Sequence, residues 1–133
     1  MALLVPDVGE VELLSRAVNL TSPDDCVLHL YTNDKTPAEG DTVADYTEST
    51  GSGYAAETLT GSSWTVTTTT GTTTGEYPQV TFTYTGAEPN IYGYYVTNNA
   101  GTTLLWAERF SDGPYAIPSG GGSVKITPKI ELE

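Results

Sequence analysis

The sequence predicts a mainly β domain, an antiparallel β-sandwich or barrel of about seven to nine short strands with one N-terminal helix. Three observations carry that expectation. The aromatic residues are mostly tyrosine, nine in all, set among many threonines, a composition that suits pleated, half-buried surfaces. From Cys26 onward, short runs alternate apolar and polar residues with a period of two. Those runs are separated by frequent glycine and proline, 14 and 8 residues respectively, which punctuate strands. At 133 residues the chain reads as a single domain, with residues 1–22 a helical segment and 23–133 the β body.

The helix is expected from about residue 7 to residue 18. Val8, Val11, Leu14 and Val18 recur at spacings of three and four, with Leu13 and Ala17 widening the stripe. Asp7, Glu10 and Glu12 early and Arg16 late agree with the helix dipole. Asp7 is the expected N-cap, and Asn19 with Thr21-Ser22-Pro23 the stop. So short a helix needs its apolar face docked, on its own sheet or on a neighbour.

Residues 26–32 read as a strand covered on both faces, since Leu28 and Leu30 alternate with Val27, His29 and Tyr31. Residues 33–50 are long for a connection and hold five acids, so they form a functional loop or carry a short edge strand. Strands follow at 54–60 and 64–70, with a threonine-rich turn or second arm between Gly71 and Gly75. The run 79–85 buries Val80, Phe82 and Tyr84 on one face and wets Thr81, Thr83 and Thr85 on the other. Residues 91–97 and 103–110 form a hairpin about Asn98-Asn99-Ala100-Gly101, with Gly93 a bulge or close-approach point. A short strand spans 115–117. The last run, Val124 to Leu132, is pushed to a sheet edge or a bend by Pro128.

Charge narrows the function. Seventeen acids against five basic residues give a formal charge of −12, which argues against nucleic-acid binding because phosphate neutralisation needs Lys and Arg. No apolar run reaches the roughly 18 residues of a membrane helix, and no secretory leader is expected, since the first basic residue is Arg16. Cys26, the only cysteine, allows no disulfide within one chain. His29, the only histidine, is the one available base for a Ser-His-Asp or Cys-His arrangement, yet it sits on a strand, with Cys26 on the opposite face. Asp34, Glu39, Asp41, Asp45 and Glu48 cluster in the long loop without EF-hand spacing, which favours a solvated or docking surface over a calcium site. Tyr92, Tyr94, Tyr95 and Trp106 are either sheet core or a sugar-stacking platform. Arg109, Lys125 and Lys129 fall late while acids dominate early, a split that suits complementary patches between identical subunits. No nucleotide, metal-protease or redox motif is present, so a non-enzyme without metal or cofactor is expected.

Three stretches carry a resemblance. MALLVPDVGEVELLSRAVN at the start, LHLYTNDKTPAEGDTVADYTE with GYAAETL in the middle, and IYGYYVTNNAGTTLLWAERFSDGPYAI with VKITPKIELE at the end resemble small virion proteins of tailed bacteriophages. The resemblance covers most of the chain, is weakest over 61–80, and carries no catalytic residue. It implies a structural protein located in the virion and assembled in the host cytoplasm. The leading expectation is a capsid decoration (cement) protein bound to the major capsid protein or other virion proteins, and a homo-oligomer, with a trimer favoured. A tail, baseplate or head-tail joining component is the alternative, and a carbohydrate-binding module a more distant one. The residues expected to dock on partners are Val8, Val11, Leu14 and Val18 of the helix, the five loop acids, and Arg109, Lys125 and Lys129.

Overall fold

The computed structural model describes residues 3–132. Met1, Ala2 and Glu133, which the sequence reading includes in its single domain, lie outside the described residues. Among the described residues one α-helix, α1 (Asp7–Ala17), precedes eleven short strands in antiparallel sheets. They are β1 (Cys26–Tyr31), β2 (Glu57–Leu59), β3 (Thr65–Thr69), β4 (Thr72–Glu76), β5 (Val80–Tyr84), β6 (Glu88–Ile91), β7 (Gly93–Thr97), β8 (Leu104–Arg109), β9 (Tyr115–Ile117), β10 (Gly122–Ile126) and β11 (Lys129–Leu132). The sheets run β2-β1-β7-β8, β10-β5, β11-β4-β3 and β6-β9, stacked as a sandwich with no closed barrel.

The strand count exceeds the expected seven to nine for three local reasons. The threonine-rich stretch is a true hairpin, β3 and β4, in continuous register from Thr65↔Glu76 to Thr69↔Thr72. The C-terminal run divides at Pro128, so β10 pairs with β5 while β11 turns away to pair with β4. Glu88–Ile91 pairs with β9 although Pro89 interrupts it, because an edge strand tolerates a missing donor. The second expected strand shrinks to Glu57–Leu59, and the long loop carries no edge strand, only a single bridge from Glu48 to Tyr31 and a short 3-10 turn at Val43–Asp45.

The four-stranded sheet is covered on both faces. Leu28, Leu30, Leu59, Tyr94, Val96, Leu105 and Trp106 meet Phe82, Tyr84, Ile91, Ile117, Val124 and Ile126 in the main core. On the opposite face, Tyr31, Tyr95, Leu104 and Ala107 pack against Tyr46 and Val43 of the long loop. Gly93 lets the strands close, because a Cβ there would stand 2.2 Å from the Glu108 carbonyl oxygen and 2.6 Å from the Tyr31 hydroxyl.

The helix docks differently from the expectation. Its N-cap is Pro6, without a side-chain cap, and Asp7 is already inside the first turn. A two-way backbone bridge from Leu4 to Ala107 leads the chain in along β8, and the Asp7 amide donates to the Glu39 carbonyl at 2.9 Å. Gly9 then lies flat on β8: a Cβ at Gly9 would stand 2.2 Å from the Leu105 carbonyl oxygen. Leu13, one turn later on the same face, reaches the core. The stripe that defined the helix in the sequence therefore points away, with Val11, Leu14 and Val18 at 67%, 66% and 65% exposure. Gly9→Ala is expected to lift α1 from β8 and to cost about 1–3 kcal/mol, the usual range for overpacking. Urea denaturation of the two proteins checks this; an unchanged midpoint would show that the helix does not bear on β8.

Candidate functional site

The long loop was expected to offer five carboxylates to a partner. The fold uses four of them internally. Asp41 is buried, accepts from the Ala38 amide and the Tyr46 hydroxyl at 2.9 Å each, and pairs with Lys35 at 2.7 Å. It thereby fixes the ring that covers Tyr31 and Tyr95. Asp45 accepts from the Thr42 amide at 2.8 Å and from the Thr42 hydroxyl, which closes the 3-10 turn and holds its carboxyl below the usual range. Asp34 pairs with Arg109 at 2.7 Å. Glu48 accepts from His29 Nδ1 at 2.9 Å and from the Tyr54 hydroxyl at 3.1 Å. Glu39 lies exposed beside the start of α1, tied there by its backbone.

His29 has the outline of a catalytic relay. Nδ1 faces Glu48, and Nε2 lies 3.0 Å from Thr97 Oγ1. The surroundings give it a different role. Thr97 is fully buried, its hydroxyl is 2.9 Å from the Asn98 carbonyl oxygen, and the imidazole stacks on Tyr95 at 4.6 Å between ring centres. With no route for a substrate to Oγ1, the three residues act as a strut that ties β1 to β7 and to the long loop. A second strut, absent from the sequence reading, centres on buried Glu88, which accepts from the Ser49 hydroxyl at 2.6 Å and from the Gly51 amide at 2.9 Å. Tyr84 joins it through Ser49 at 2.9 Å. Nothing in the local pattern marks Ser49, Glu88 or Thr97, because their partners lie 35 to 68 positions away.

The other candidates divide between interior and surface. Tyr94, Tyr95 and Trp106 are buried, which removes the sugar-stacking platform; Tyr92 alone is half-exposed, and the Arg109 guanidinium lies over its ring at 5.0 Å. Arg109 is thus held by Asp34 and Tyr92 of its own chain, and Lys129 pairs with Glu131 at 3.2 Å. Arg16 is held by Glu12 and Asp24. The early-acid, late-base split is spent largely inside the subunit, and Lys125 is the one basic residue without an ion pair among the described residues. Among the described residues no three His, Cys, Asp or Glu side chains converge as a metal site, and no helix is long and apolar enough to cross a membrane.

What remains exposed and apolar is concentrated on α1 and the turn that follows it. Of seven large hydrophobic residues exposed among those described, five are Val8, Val11, Leu14, Val18 and Leu20. A shallow groove lined by Asp7, Val8, Val11, Glu12 and Thr103 runs along the helix flank. Asp7 and Glu10 on the first turn, with Glu39 beside it, give this face an acidic border.

Two outcomes are expected. His29→Ala leaves Glu48 and Thr97 without their shared partner and is expected to cost about 1–3 kcal/mol in urea denaturation; a cost near zero would remove the strut. Burial raises the phenol pKa of Tyr31, Tyr46, Tyr54, Tyr94 and Tyr95. A raised folded pKa contributes stability that is present below the unfolded value of about 10 and lost as pH climbs above it. Absorbance at 295 nm should therefore show these rings ionising only together with unfolding; smooth ionisation of all nine tyrosines in the folded protein would contradict it.

Comparison with family models, with curated proteins and with solved structures finds no match to this chain.

Proposed function

We propose that this chain is a non-enzymatic structural protein of a bacteriophage virion, a capsid decoration protein that docks on the head shell through the outer face of α1. The observation that carries the reading is the exposed Val8, Val11, Leu14 and Val18 stripe on a domain whose core is already complete without it. Full burial of each such side chain contributes about 1.5–3 kcal/mol, so a surface that covers the stripe gains a firm hold. The acidic border selects the partner's chemistry: an apolar patch rimmed by Lys or Arg, not another strongly acidic face. Most buried polar side chains are tied into struts, the Trp106 Nε1 being the exception among the described residues, which suits a rigid part that bridges shell subunits and performs no reaction. The resemblance of three stretches of the chain to small virion proteins supports the choice of particle.

The test is sedimentation of the purified chain with phage heads that lack their decoration protein. Saturable binding of many copies per head is expected, weakening as salt rises because the border is charged. Leu14→Asp should reduce binding at least about tenfold while leaving stability within about 0.5 kcal/mol, since the site is exposed and outside the core. Failure of the wild-type chain to bind heads, or its recovery at the neck or tail by particle imaging, would overturn the decoration reading and, in the second case, favour a tail or joining component.

A further inference from the structure

The β3–β4 hairpin has no place in the shell-docking face. β3 is the outer strand of β11-β4-β3, and all five of its residues are exposed. It holds no charge, no proline and no bulge, the devices that ordinarily keep an exposed edge from pairing with another chain. Several other edges carry such guards. Leu4 bridges onto β8, β2 is three residues long and begins with Glu57, and β11 follows Pro128 and bears Lys129 and Glu131. β5 has no charge, proline or bulge either, but Phe82 and Tyr84 are buried in it and the Thr85 amide that follows it donates to the Ser52 carbonyl; among the described strands β3 alone is exposed at every residue.

The turn fixes which backbone groups face outward. Thr70 and Gly71 have φ of 49° and 85°, the two positive values of a type I′ hairpin turn, flanked by the Thr69↔Thr72 pair. In that turn the Thr69 carbonyl accepts from the Thr72 amide, so Thr69 faces β4, and so by alternation do Thr67 and Thr65. The amides and carbonyls of Val66 and Thr68 are directed to the open side. These two residues are symmetric about Thr67. An antiparallel copy of the same strand, centred on Thr67, sets Val66 opposite Thr68 of the second copy and pairs every outward group.

We propose that β3 is a self-association edge, where two copies of this chain pair antiparallel about a two-fold axis at Thr67 to form one six-stranded sheet. Charge names the occupant. Each copy carries −12, yet no charged residue lies between Glu57 and Glu76, and the nearest carboxylate, Glu76, stands one strand back beside Thr65, so pairing at this edge sets no two carboxylates face to face. The pairing adds about four backbone hydrogen bonds and sets exposed Val66 against the Thr68 methyl of the second copy. Its area falls in the weak class, below about 1,200 Å², so it fills as protein concentration rises. A two-fold pair closes at two copies, which distinguishes it from the trimer that the phage resemblance implies. The inference stands apart from the shell-docking reading, because it uses none of α1.

Cross-linking tests it. In the proposed register Thr67 faces Thr67 of the second copy as a non-hydrogen-bonded pair, with Cα atoms about 4.5 Å apart, inside the disulfide range. In a Cys26→Ala background, Thr67→Cys is expected to oxidise rapidly to a covalent dimer, and a Lys129→Cys control on the opposite edge is not. Sedimentation velocity of the wild-type chain over a concentration series should show a monomer–dimer equilibrium, weakened at least about tenfold by Thr67→Glu, which sets two carboxylates face to face. Circular dichroism and the thermal midpoint should stay unchanged, as the site is exposed. Equal cross-linking at positions 67 and 129, a dimer indifferent to Thr67→Glu, a trimer, or a monomer at every concentration would each overturn the proposal.

Discussion

Strand β1 is buried on both faces over Leu28–Tyr31, and the rest of the molecule is arranged around the need to cover them. One face is served by apolar strands, in the ordinary manner of a sandwich. The other is served by a loop of largely polar sequence. A loop covers a sheet only if its own polar groups are satisfied, because each unpaired buried group costs about 1–3 kcal/mol. Here the covering ring is Tyr46, and Asp41 holds it by accepting its hydroxyl, the Ala38 amide and the Lys35 ammonium together. The His29–Glu48 contact performs the same task at the other end of the loop. The acids that look in the sequence like a solvated cluster are for the most part the fastenings of a lid.

That use of the acids also settles the charge economy of the surface. Four of the five basic residues are paired with acids of their own chain, so few cations are left to balance the remaining carboxylates. The chain as a whole carries an excess of carboxylates, and two of its exposed surfaces are free of them in different ways. The outer face of α1 is apolar with an acidic rim, and the β3 edge is neutral and polar. The first suits an apolar partner with a basic rim, and the second suits a neutral edge. The two surfaces lie on separate elements, so variants in one leave the other intact.

Much of the fold was legible because burial in a strand leaves a period-two trace. β5 is the clearest case: Phe82 and Tyr84 are buried while Thr81 and Thr83 are exposed. The β7–β8 hairpin and the bend at Pro128 were equally readable, from turn residues and a missing amide. The helix was found by its apolar period but its orientation was not. A stripe of Val and Leu tells that one face wants burial, and Gly9 decided against it by allowing the helix to lie closer on its other side than any side chain permits. The sugar platform failed for the opposite reason, since tyrosines in alternating strands give the same letters whether the sheet is covered or bare.

The sequence by itself determined the class of the protein: a β domain with one helix, strongly acidic, and with a neutral threonine stretch in its middle. These are properties of composition and of contacts between near neighbours, which a local pattern records. Only the tertiary structure decided which carboxylates are spent and which are free, which face of α1 is open, and which strand is exposed at every residue. Each of those depends on partners far apart in the chain, such as His29 with Thr97 or Ser49 with Glu88, and on what lies across a sheet from a given side chain. Burial and pairing at that range follow from how the layers stack, which no local run of residues encodes.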